Sequence, residues 1–441
     1  MMITLKRLSR NSLCWLMSFL ITLQPNLVEA QDATITVDPA TPSVKVETTI
    51  NNTPLLQIVA PNASGVSHNK FTDFNVGTSG LVINNAKTNT NTQIGGAILA
   101  NPNFNGSTAR LILNEVTSAN RSSLKGFTEI AGDKADYILA NPNGITCNGC
   151  GFINTSRSTL TTGTPTFDGT SLDSLSVTAG DIVVNSLGLN ANDADAFDII
   201  TRAATISGAI NAQELNIIAG RNDVKYADRT VTKKADDGST KPTLAIDSSA
   251  LGGMYAGRIA LIANETGVGV NMQGDIAAST SDLTITADGR IDFKKATAAN
   301  NLTVTSQNTV DVATRAYAGN NLEITAPTID ATDATVGASQ NVTLSGTNIT
   351  GTNAQIVSGL QSDGTSKAQG DVNITATGGS FAYDGGTVRA GQNVTISATT
   401  VNGGASSNGI TSLGNTTIKD TTTQALSGNL SVGGNLSLTG G

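Results

Sequence analysis

Histidine, cysteine and aromatic residues are scarce in this sequence. Its 441 residues include one histidine, three cysteines and only 4% Phe, Trp and Tyr. So few ligands exclude histidine-rich metal sites and four-cysteine zinc sites. The calcium-binding nonapeptide Gly-Gly-x-Gly-x-Asp is absent as well, so no array of calcium ions is indicated. We therefore expect neither a metal ion nor another cofactor.

Charge is also sparse, and its balance is acidic. Charged residues make up 14% of the sequence, the net charge is −8, and no cluster of lysines and arginines follows residue 30. Nucleic-acid binding depends on clustered Lys and Arg side chains that neutralise phosphates. The sequence therefore argues against a nucleic-acid partner.

Long apolar runs are confined to the N-terminus. Residues 1–30 have a basic head, an apolar run over 13–23 and small residues near Ala30. The run is too short to span a bilayer comfortably. It predicts a secretory signal peptide that is cleaved near Ala30, rather than a membrane anchor.

Helical periodicity is nearly absent, and alternation of apolar and polar residues takes its place. Residues 34–37, 44–46 and 56–59 alternate in this way and are separated by Pro, Asn and Gly. Thr, Val and Ile suit pleated strands, whereas Gly and Asn suit tight corners. We therefore predict short strands joined by turns. The opening stretch should form a cap, because the end of a strand stack has unpaired backbone groups.

From about residue 277 the sequence repeats. Each unit has Asn or Asp, then an aliphatic residue, then alternation, as in Asp282-Leu283-Thr284-Ile285. The unit recurs after 19, 20, 20, 30, 22, 22 and 20 residues, at Asn301, Asn321, Asn341, Asp371, Asn393, Asn415 and Asn435. A period near 20 without helices predicts a parallel β-helix with three short strands per coil. The aliphatic residues should point inward, and the 30-residue interval should hold an insertion.

The repeats predict an elongated molecule. At ~4.8 Å per coil, roughly twenty coils would make a monomeric rod on the order of 100 Å long. A β-sandwich of two or more domains is the alternative, since it also has regularly spaced turns. The recurring period and the recurring Asn favour the rod. Because residues 435–441 are still part of a repeat, we also expect the rod to continue beyond this sequence.

Two stretches end in the same tripeptide. The apolar runs 97–100 and 137–140 are followed by Asn101-Pro102-Asn103 and by Asn141-Pro142-Asn143. Proline fixes φ and removes a ladder donor, while asparagine can bond its own backbone. From the residues alone we predict two strands that end in rigid turns. Such turns would seat extra-helical strands and set the register of the first coils.

These residues carry a family resemblance. Asn101-Pro102-Asn103-Phe104 and Asn141-Pro142-Asn143-Gly144-Ile145 resemble the two motifs of the two-partner secretion domain of filamentous-haemagglutinin-like exoproteins, with Phe104 where leucine is usual. Five further blocks are similar and follow in the same order, at 64–71, 110–116, 197–200, 220–224 and 250–257. The resemblance implies an all-β fold, namely a right-handed parallel β-helix (solenoid) with an N-terminal β cap and extra-helical strands. The predicted divisions are a signal peptide at 1–30, a two-partner secretion domain at 31–275 and β-helix repeats at 276–441.

The resemblance also implies a function. Similar proteins are recognised in the periplasm by an outer-membrane β-barrel transporter with periplasmic recognition domains. They are then secreted or displayed on the bacterial surface as filamentous adhesins or haemagglutinins, which contact a host or neighbouring cell. The alternatives are the stalk of a contact-dependent inhibition toxin and a haemolysin or cytolysin. The resemblance assigns transporter recognition to Asn101, Pro102, Asn103, Asn141, Pro142, Asn143, Gly144 and Ile145.

Cys147 and Cys150 have the spacing of a redox motif. The predicted signal peptide directs them to an oxidising compartment, and no βαβ pattern surrounds them. We therefore predict a structural disulfide that pins a turn. The Cys-Asn-Gly-Cys segment resembles the family subset that includes haemolysins and contact-dependent inhibition proteins.

The sequence gives little support to catalysis. The one histidine, His68, lies in Ser67-His68-Asn69, which we interpret as a polar turn without an identified nucleophile or acid. β-Helix folds also host polysaccharide-degrading enzymes, and these need two or three carboxylates on adjacent coils. Asp and Glu look scattered here, and aromatic platforms for sugars are few. We predict that the chain is not an enzyme and that His68 has a packing or hydrogen-bonding role.

Overall fold

The computed structural model describes residues 34–404, 408–426 and 428–440. The predicted signal peptide at 1–30 lies outside the described residues. Within them the chain forms strands and turns only, and no helix has the length and apolar character needed to cross a membrane. The predicted all-β class is confirmed.

The described residues form 46 strands. Up to residue 140 they are β1 (Ile35–Val37), β2 (Lys45–Thr48), β3 (Pro54–Gln57), β4 (Val66–Phe74), β5 (Leu81–Asn85), β6 (Thr90–Thr92), β7 (Gly96–Ile98), β8 (Leu111–Val116), β9 (Ser122–Leu124), β10 (Phe127–Gly132) and β11 (Ala135–Ala140). Up to residue 278 they are β12 (Ile145–Cys147), β13 (Cys150–Ile153), β14 (Thr155–Thr161), β15 (Thr164–Asp168), β16 (Ser171–Ser176), β17 (Asp181–Val184), β18 (Leu189–Ala191), β19 (Ala196–Thr201), β20 (Ala203–Ile206), β21 (Ile210–Ala212), β22 (Glu214–Ala219), β23 (Asn222–Lys225), β24 (Val231–Lys233), β25 (Leu244–Ser248), β26 (Met254–Ala256), β27 (Arg258–Ala263) and β28 (Gly269–Ala278). The rest are β29 (Leu283–Ala287), β30 (Ile291–Ala298), β31 (Leu302–Ser306), β32 (Thr309–Ala318), β33 (Leu322–Thr325), β34 (Thr328–Asp330), β35 (Thr335–Ala338), β36 (Val342–Gly346), β37 (Asn348–Thr350), β38 (Gln355–Ser358), β39 (Val372–Ala382), β40 (Thr387–Ala390), β41 (Val394–Asn402), β42 (Gly409–Ser412), β43 (Thr416–Lys419), β44 (Thr423–Ala425), β45 (Asn429–Val432) and β46 (Leu436–Thr439).

Parallel pairing between successive coils sorts most strands into three ladders. The first ladder runs β4-β8-β11-β14-β19-β22-β27-β29-β31-β33-β36-β39-β41-β43-β46. The second runs β3-β5-β10-β13-β18-β21-β26-β28-β30-β32-β35-β38-β40-β42-β45. The third runs β9-β12-β17-β20-β25-β28-β30-β32-β34-β37-β39-β41-β44. The chain is therefore a three-faced parallel solenoid, and the β-sandwich alternative is wrong.

The solenoid has about 15 turns, so the expectation of roughly twenty coils was too high. At ~4.8 Å per turn its length is about 70 Å. The number of coils is lower than expected because some segments of the chain form no coil. β1 and β2 cap the first coil, and two insertions form separate sheets. β1 pairs antiparallel with β4, and β2 pairs antiparallel with β3. The predicted N-terminal cap is confirmed.

Two antiparallel elements lie outside the solenoid, as predicted. β15, β16, β23 and β24 form a four-stranded sheet, and β6 pairs with β7 as a hairpin. The four-stranded sheet covers outward-facing apolar residues of the first ladder, since Leu175 and Val224 pack with Ile200 and Ile218. The hairpin covers the second ladder, where Ile98 packs in the same way. Strands in this region are therefore buried on both faces.

The repeats are simpler, because their apolar residues lie mainly on the inner face. Leu283, Leu302, Leu322 and Val342 stand in register along the first ladder, and each is at most 1% exposed. The predicted inward aliphatic ladder is therefore present. The insertion expected in the 30-residue interval lies between β38 and β39, where Leu360 packs over Gly337 and accepts a hydrogen bond from Tyr317.

Candidate recognition turns

The first Asn-Pro-Asn turn follows β7 and closes back on the first coils. The backbone N–H of Asn101 donates to Ala86 O at 2.8 Å. Its Nδ2 donates to Ile58 O at 3.0 Å and Asn84 O at 2.8 Å, while its Oδ1 accepts the backbone N–H of Asn103 at 2.9 Å. Asn101 is only 3% exposed. Its side chain therefore joins the turn to the two segments beneath it.

The rest of this turn divides between surface and core. Asn103 Nδ2 donates to Ser43 O and Ile58 O, both at 3.0 Å. Pro102 is exposed, whereas Phe104 is partly buried against the solenoid core. Phenylalanine thus fills the apolar role that leucine has in the motif that this stretch resembles.

The second Asn-Pro-Asn turn follows β11 on the first ladder. Asn141 is fully buried, and its backbone N–H donates to Thr161 O at 2.9 Å. Its Nδ2 donates to Asn120 O at 2.9 Å and Ser122 Oγ at 3.0 Å, and its Oδ1 accepts the N–H of Asn143 at 3.0 Å. The local geometry is that of the first turn, in which the first asparagine bonds the third and reaches across to neighbouring chain.

Arg121 closes the second turn, although nothing in the sequence marked it. Its guanidinium donates to both carboxylate oxygens of Asp181, at 2.8 and 2.9 Å, and to Ile145 O at 2.9 Å. Gly144 has φ +102°, and a Cβ there would come within 2.4 Å of Arg121 Nη1 and 2.8 Å of Asp181 O. Glycine is therefore required at this position by backbone conformation and by space.

The two turns are separate structures. In the described residues the hydrogen bonds of Asn101 and Asn103 go to segments of the first two coils, and those of Asn141 and Asn143 go to 118–122 and Thr161. In each turn the first asparagine, Asn101 or Asn141, is buried. The exposed residues are Pro102 in the first turn and Asn143 in the second. A partner of the folded chain therefore has no access to the first asparagine of either motif.

Cys147 and Cys150 are joined by a disulfide, with Sγ atoms 2.02 Å and Cα atoms 5.4 Å apart. The bond spans the corner between β12 and β13. Both residues are at most 2% exposed, and thiol exchange needs access to a sulfur atom. The bond pins a corner of the solenoid.

His68 lies in the middle of β4, so its interpretation as part of a polar turn was wrong. Ser67 and Asn69 are fully buried and both bond the backbone of Val59, which satisfies two polar side chains on the inner face of the strand. The polar triplet looked like a turn because these inner positions, usually apolar, carry hydrogen-bonded side chains here.

On the outer face of β4, His68 belongs to a charged contact. Its Nε2 lies 2.7 Å from Glu115 Oε2, and Lys70 Nζ lies 3.6 Å from the same oxygen. Burial alone would raise the pKa of Glu115, but the hydrogen bond with His68 and the charge of Lys70 hold it below its usual value. The imidazole also stacks on Phe167 of β15, with ring centroids 5.2 Å apart. His68 thus helps to fix the extra-helical sheet on the solenoid.

The interpretation of the acidic residues as scattered was also wrong. Asp292, Asp311 and Asp330 stand in register on successive coils of the third ladder. Arg290 bridges the first two, and Asp330 accepts hydrogen bonds from Thr332. Burial and the neighbouring carboxylates raise the pKa of Asp311. The 19-residue spacing of these aspartates, close to the repeat period, was the signal in the sequence.

This column alone defines no catalytic or metal site. Glycoside hydrolysis by paired carboxylates requires a site that holds the scissile bond between them, whereas this column lies along the outer face of a strand ladder. Within the ranges that the structure describes, no group of three His, Cys, Asp or Glu side chains is arranged to hold a metal ion.

Comparisons with known proteins agree with this geometry. A family model described as "TPS secretion domain" matches residues 33–293. The 16S rRNA endonuclease CdiA of Enterobacter cloacae subsp. cloacae is 44% identical over 346 residues, which are 77% of this chain and 10% of that protein. The tRNA nuclease CdiA-2 of Burkholderia pseudomallei is 46% identical over 246 residues, 55% of this chain and 8% of that protein. The chain thus spans about a tenth of the length of these curated relatives.

One solved structure is similar in both sequence and fold. The crystal structure of a filamentous hemagglutinin secretion domain superposes with a TM-score of 0.52 and 30% sequence identity. The match covers 71% of this chain and 96% of that one. The similarity therefore extends over nearly the whole of that domain.

Proposed function

We propose that the N-terminal part of this chain, which belongs to the family of two-partner secretion (TPS) domains, directs export through a dedicated outer-membrane transporter. The partner is a β-barrel with periplasmic recognition domains. Proteins of this family are secreted or remain at the cell surface, and the proposed route leads there through the periplasm after removal of residues 1–30. The proposed secretion domain is 31–275, followed by repeats at 276–441.

The observation that carries this proposal is the burial of the motif asparagines. Asn101 is 3% exposed and Asn141 is 0% exposed, and both side chains are fully engaged in hydrogen bonds. A periplasmic partner that reads these residues must therefore meet them before the chain folds. The proposed recognition residues are Asn101, Pro102, Asn103, Asn141, Pro142, Asn143, Gly144 and Ile145. In the folded chain the same residues close the turns of the first coils.

For the whole protein we propose a filamentous surface adhesin or haemagglutinin, which is a monomeric rod that contacts a host or neighbouring cell. A second candidate is the stalk of a contact-dependent inhibition toxin. It is favoured by relatives 44–46% identical that carry the names of toxins and nucleases. The proposal includes no enzymatic role for the chain itself, because the region matched is a secretion domain.

Variants exposed in the fold give the sharpest test, because they separate recognition from stability. Asn101→Ala and Asn141→Ala remove buried side-chain hydrogen bonds, among them those to Asn84 O and Ser122 Oγ, so each should also destabilise the domain by about 1–3 kcal/mol. Pro102→Ala and Asn143→Ala change exposed positions and should alter the free energy of unfolding by less than about 0.5 kcal/mol. Asn211→Ala is the matched control. Asn211 is a half-buried residue between two inward residues of β21, remote from both motifs.

Each variant is co-expressed with the cognate transporter, and the extracellular fraction and the melting curve are measured separately. Reduced export of the Pro102→Ala, Asn143→Ala double variant, with an unchanged melting curve and normal export of Asn211→Ala, would support a role of these turns in recognition that is separate from stability. Normal export of that double variant would contradict the proposed role of these residues. Export of the parent protein without any transporter would contradict the proposed function as a whole.

A further inference from the structure

A continuous column of Asn and Asp side chains runs along the corner that precedes the first ladder. At each step a side-chain Oδ1 accepts the backbone N–H of the corresponding residue one coil later. The pairs, donor first, are Asn301 to Asp282 (3.0 Å), Asn321 to Asn301 (3.3 Å), Asn341 to Asn321 (3.3 Å), Asp371 to Asn341 (2.9 Å), Asn393 to Asp371 (2.9 Å), Asn415 to Asn393 (2.9 Å) and Asn435 to Asn415 (2.8 Å).

This corner column has a uniform direction. In every pair the acceptor is a side chain on the N-terminal coil, and the donor is the backbone of the C-terminal coil. Backbone N–H groups are donors that need a partner when coils stack, and at this corner the previous coil supplies it. Each coil therefore satisfies the coil that follows it.

The carboxamide nitrogens point toward the preceding coil, whereas the carboxamide oxygens point toward the following one. Asn301 Nδ2 donates to Asp282 Oδ1 at 3.0 Å, and Asn341 Nδ2 donates to Asn321 Oδ1 at 3.0 Å. Asn393 Nδ2 donates to Asp371 Oδ1 at 2.9 Å. Each of these asparagines is thus oriented by the coil before it, and this orientation aims its oxygen at the coil after it.

The column also keeps its register where the sequence spacing changes. Asn341 and Asp371 are 30 residues apart, because the segment between β38 and β39 loops out. The hydrogen bond between them, at 2.9 Å, is as short as those across 22-residue intervals. The side-chain contact is therefore kept at the same register across intervals of different length.

We propose that the corner column is a one-way template for coil formation, in which each folded coil offers an oriented acceptor oxygen to the next segment of the chain. Growth toward the C-terminus adds a backbone N–H to an acceptor that is already fixed. Growth toward the N-terminus would instead have to order the new Asn side chain before its oxygen could accept an N–H, so the entropic cost comes ahead of the bond. The binding partner of each acceptor is the next coil of this chain.

A pair of substitutions at Asn321 in the full-length protein tests this direction. Asn321→Ala removes the acceptor of Asn341 N–H and Nδ2. On the N-terminal side it removes only the longer bond from Asn321 Nδ2 to Asn301 Oδ1, at 3.4 Å, and residue 321 keeps its backbone bond to Asn301. Amide exchange at the start of β36 should become about three- to tenfold faster, and exchange at β31 should be unchanged. Asn321→Asp keeps an acceptor and should restore protection, since Asp282 and Asp371 already serve in this way.

Hydrogen exchange followed by mass spectrometry distinguishes the outcomes, with Asn211→Ala as the control that should change neither strand. Loss of protection on the C-terminal side alone, with rescue by Asn321→Asp, supports the proposal. Equal loss on both sides, no loss on either side, or an Asn321→Asp variant as unprotected as Asn321→Ala would overturn it.

A second measurement links the template to export, and this link rests on the proposed function. With the transporter present, Asn321→Ala should slow the appearance of protease-resistant extracellular protein about threefold or more, while the amount of chain bound to the transporter stays unchanged. Loss of binding would implicate recognition instead. Export of the parent without a transporter would contradict the proposed function but leave the exchange result, and with it the template, intact.

Discussion

The same column of the first ladder is apolar in one half of the molecule and polar in the other. Ile200, Ile218 and Ile262 face outward on successive coils, and the next residue in register is Thr286, followed by Thr305. The isoleucines contact the four-stranded extra-helical sheet, whereas the threonines face solvent. In the N-terminal region the extra-helical sheet of β15, β16, β23 and β24 covers the solenoid, and we call this sheet the coat. The repeats have no such sheet among the described residues.

The coat changes how far apart in sequence the contacts are. Tyr226 bonds Asp136 across 90 residues, and Ser64 contacts Thr170 across 106. In the repeats, hydrogen bonds such as Asn341 to Asn321 span 20 residues. Contacts at long sequence separation slow folding. The N-terminal region, which carries both recognition turns, should therefore complete its structure later than its position in the chain suggests.

The largest effect should come from a charge in the core of the repeats. Leu322 is 1% exposed and lies between Leu302 and Val342. Leu322→Asp buries a carboxylate without a partner and should lower the free energy of unfolding by at least ~4 kcal/mol. Thr325→Asp, at an outward position of the same strand, should change it by less than ~0.5 kcal/mol. Thermal melting followed by circular dichroism compares the two, and equal effects would mean that the faces are assigned wrongly.

A matched pair in one column measures the contribution of the coat. Ile218→Thr removes apolar contact beneath the extra-helical sheet and should cost about 2–4 kcal/mol. Thr286→Ile makes the reverse change where the column faces solvent, and we expect less than about 0.5 kcal/mol. Urea unfolding gives both values. Similar small changes at the two positions would show that the coat contributes little to stability.

The disulfide should matter less than the coat. Cys147 and Cys150 are three residues apart, and closing so short a loop removes little chain entropy, so Cys147→Ser should cost about 1–3 kcal/mol. The fold should survive, as judged by circular dichroism. Mass spectrometry of the exported protein should find no free thiols, and two free thiols would contradict the bond.

The smallest effect should be the pH dependence that Glu115 contributes in the coated half. The pKa of Glu115 is lowered from its usual 4.5 in the folded chain. Its contribution to stability is therefore present above about pH 4.5 and is lost as the pH falls through the folded-state pKa. Glu115→Gln should flatten the unfolding free energy between pH 3 and 5 relative to the parent. A Glu115→Gln variant with the same pH profile as the parent would contradict this contribution.

The sequence predicted the repeats well because each coil is specified locally. Alternation placed Leu302 and Leu322 inside, and the recurring Asn and Asp marked the corners. It also indicated the strand and turn at Asn141. These features depend on residues that are neighbours in the chain or one period apart.

For the coat, the sequence analysis predicted that extra-helical strands exist but not which strands of the solenoid they cover. Its signal is the loss of alternation, since runs such as Asn216-Ile217-Ile218-Ala219 have apolar residues on both faces of a strand. The sequence does not show which distant segment covers them. Arg121 and the aspartates at 292, 311 and 330 were missed for a similar reason, because their roles appear only when coils are stacked in register.

The looped-out segment at 359–370 shows that a corner of this solenoid can lengthen by about half a coil while the next strand still pairs in register. Corner length can thus vary, whereas the strand register and the Asn or Asp of the corner column are kept. Such a chain can therefore gain a loop at a corner, or a duplicated repeat, without substitutions in the neighbouring coils. The length of the rod and the decorations along it can therefore evolve independently of the part that is read for export.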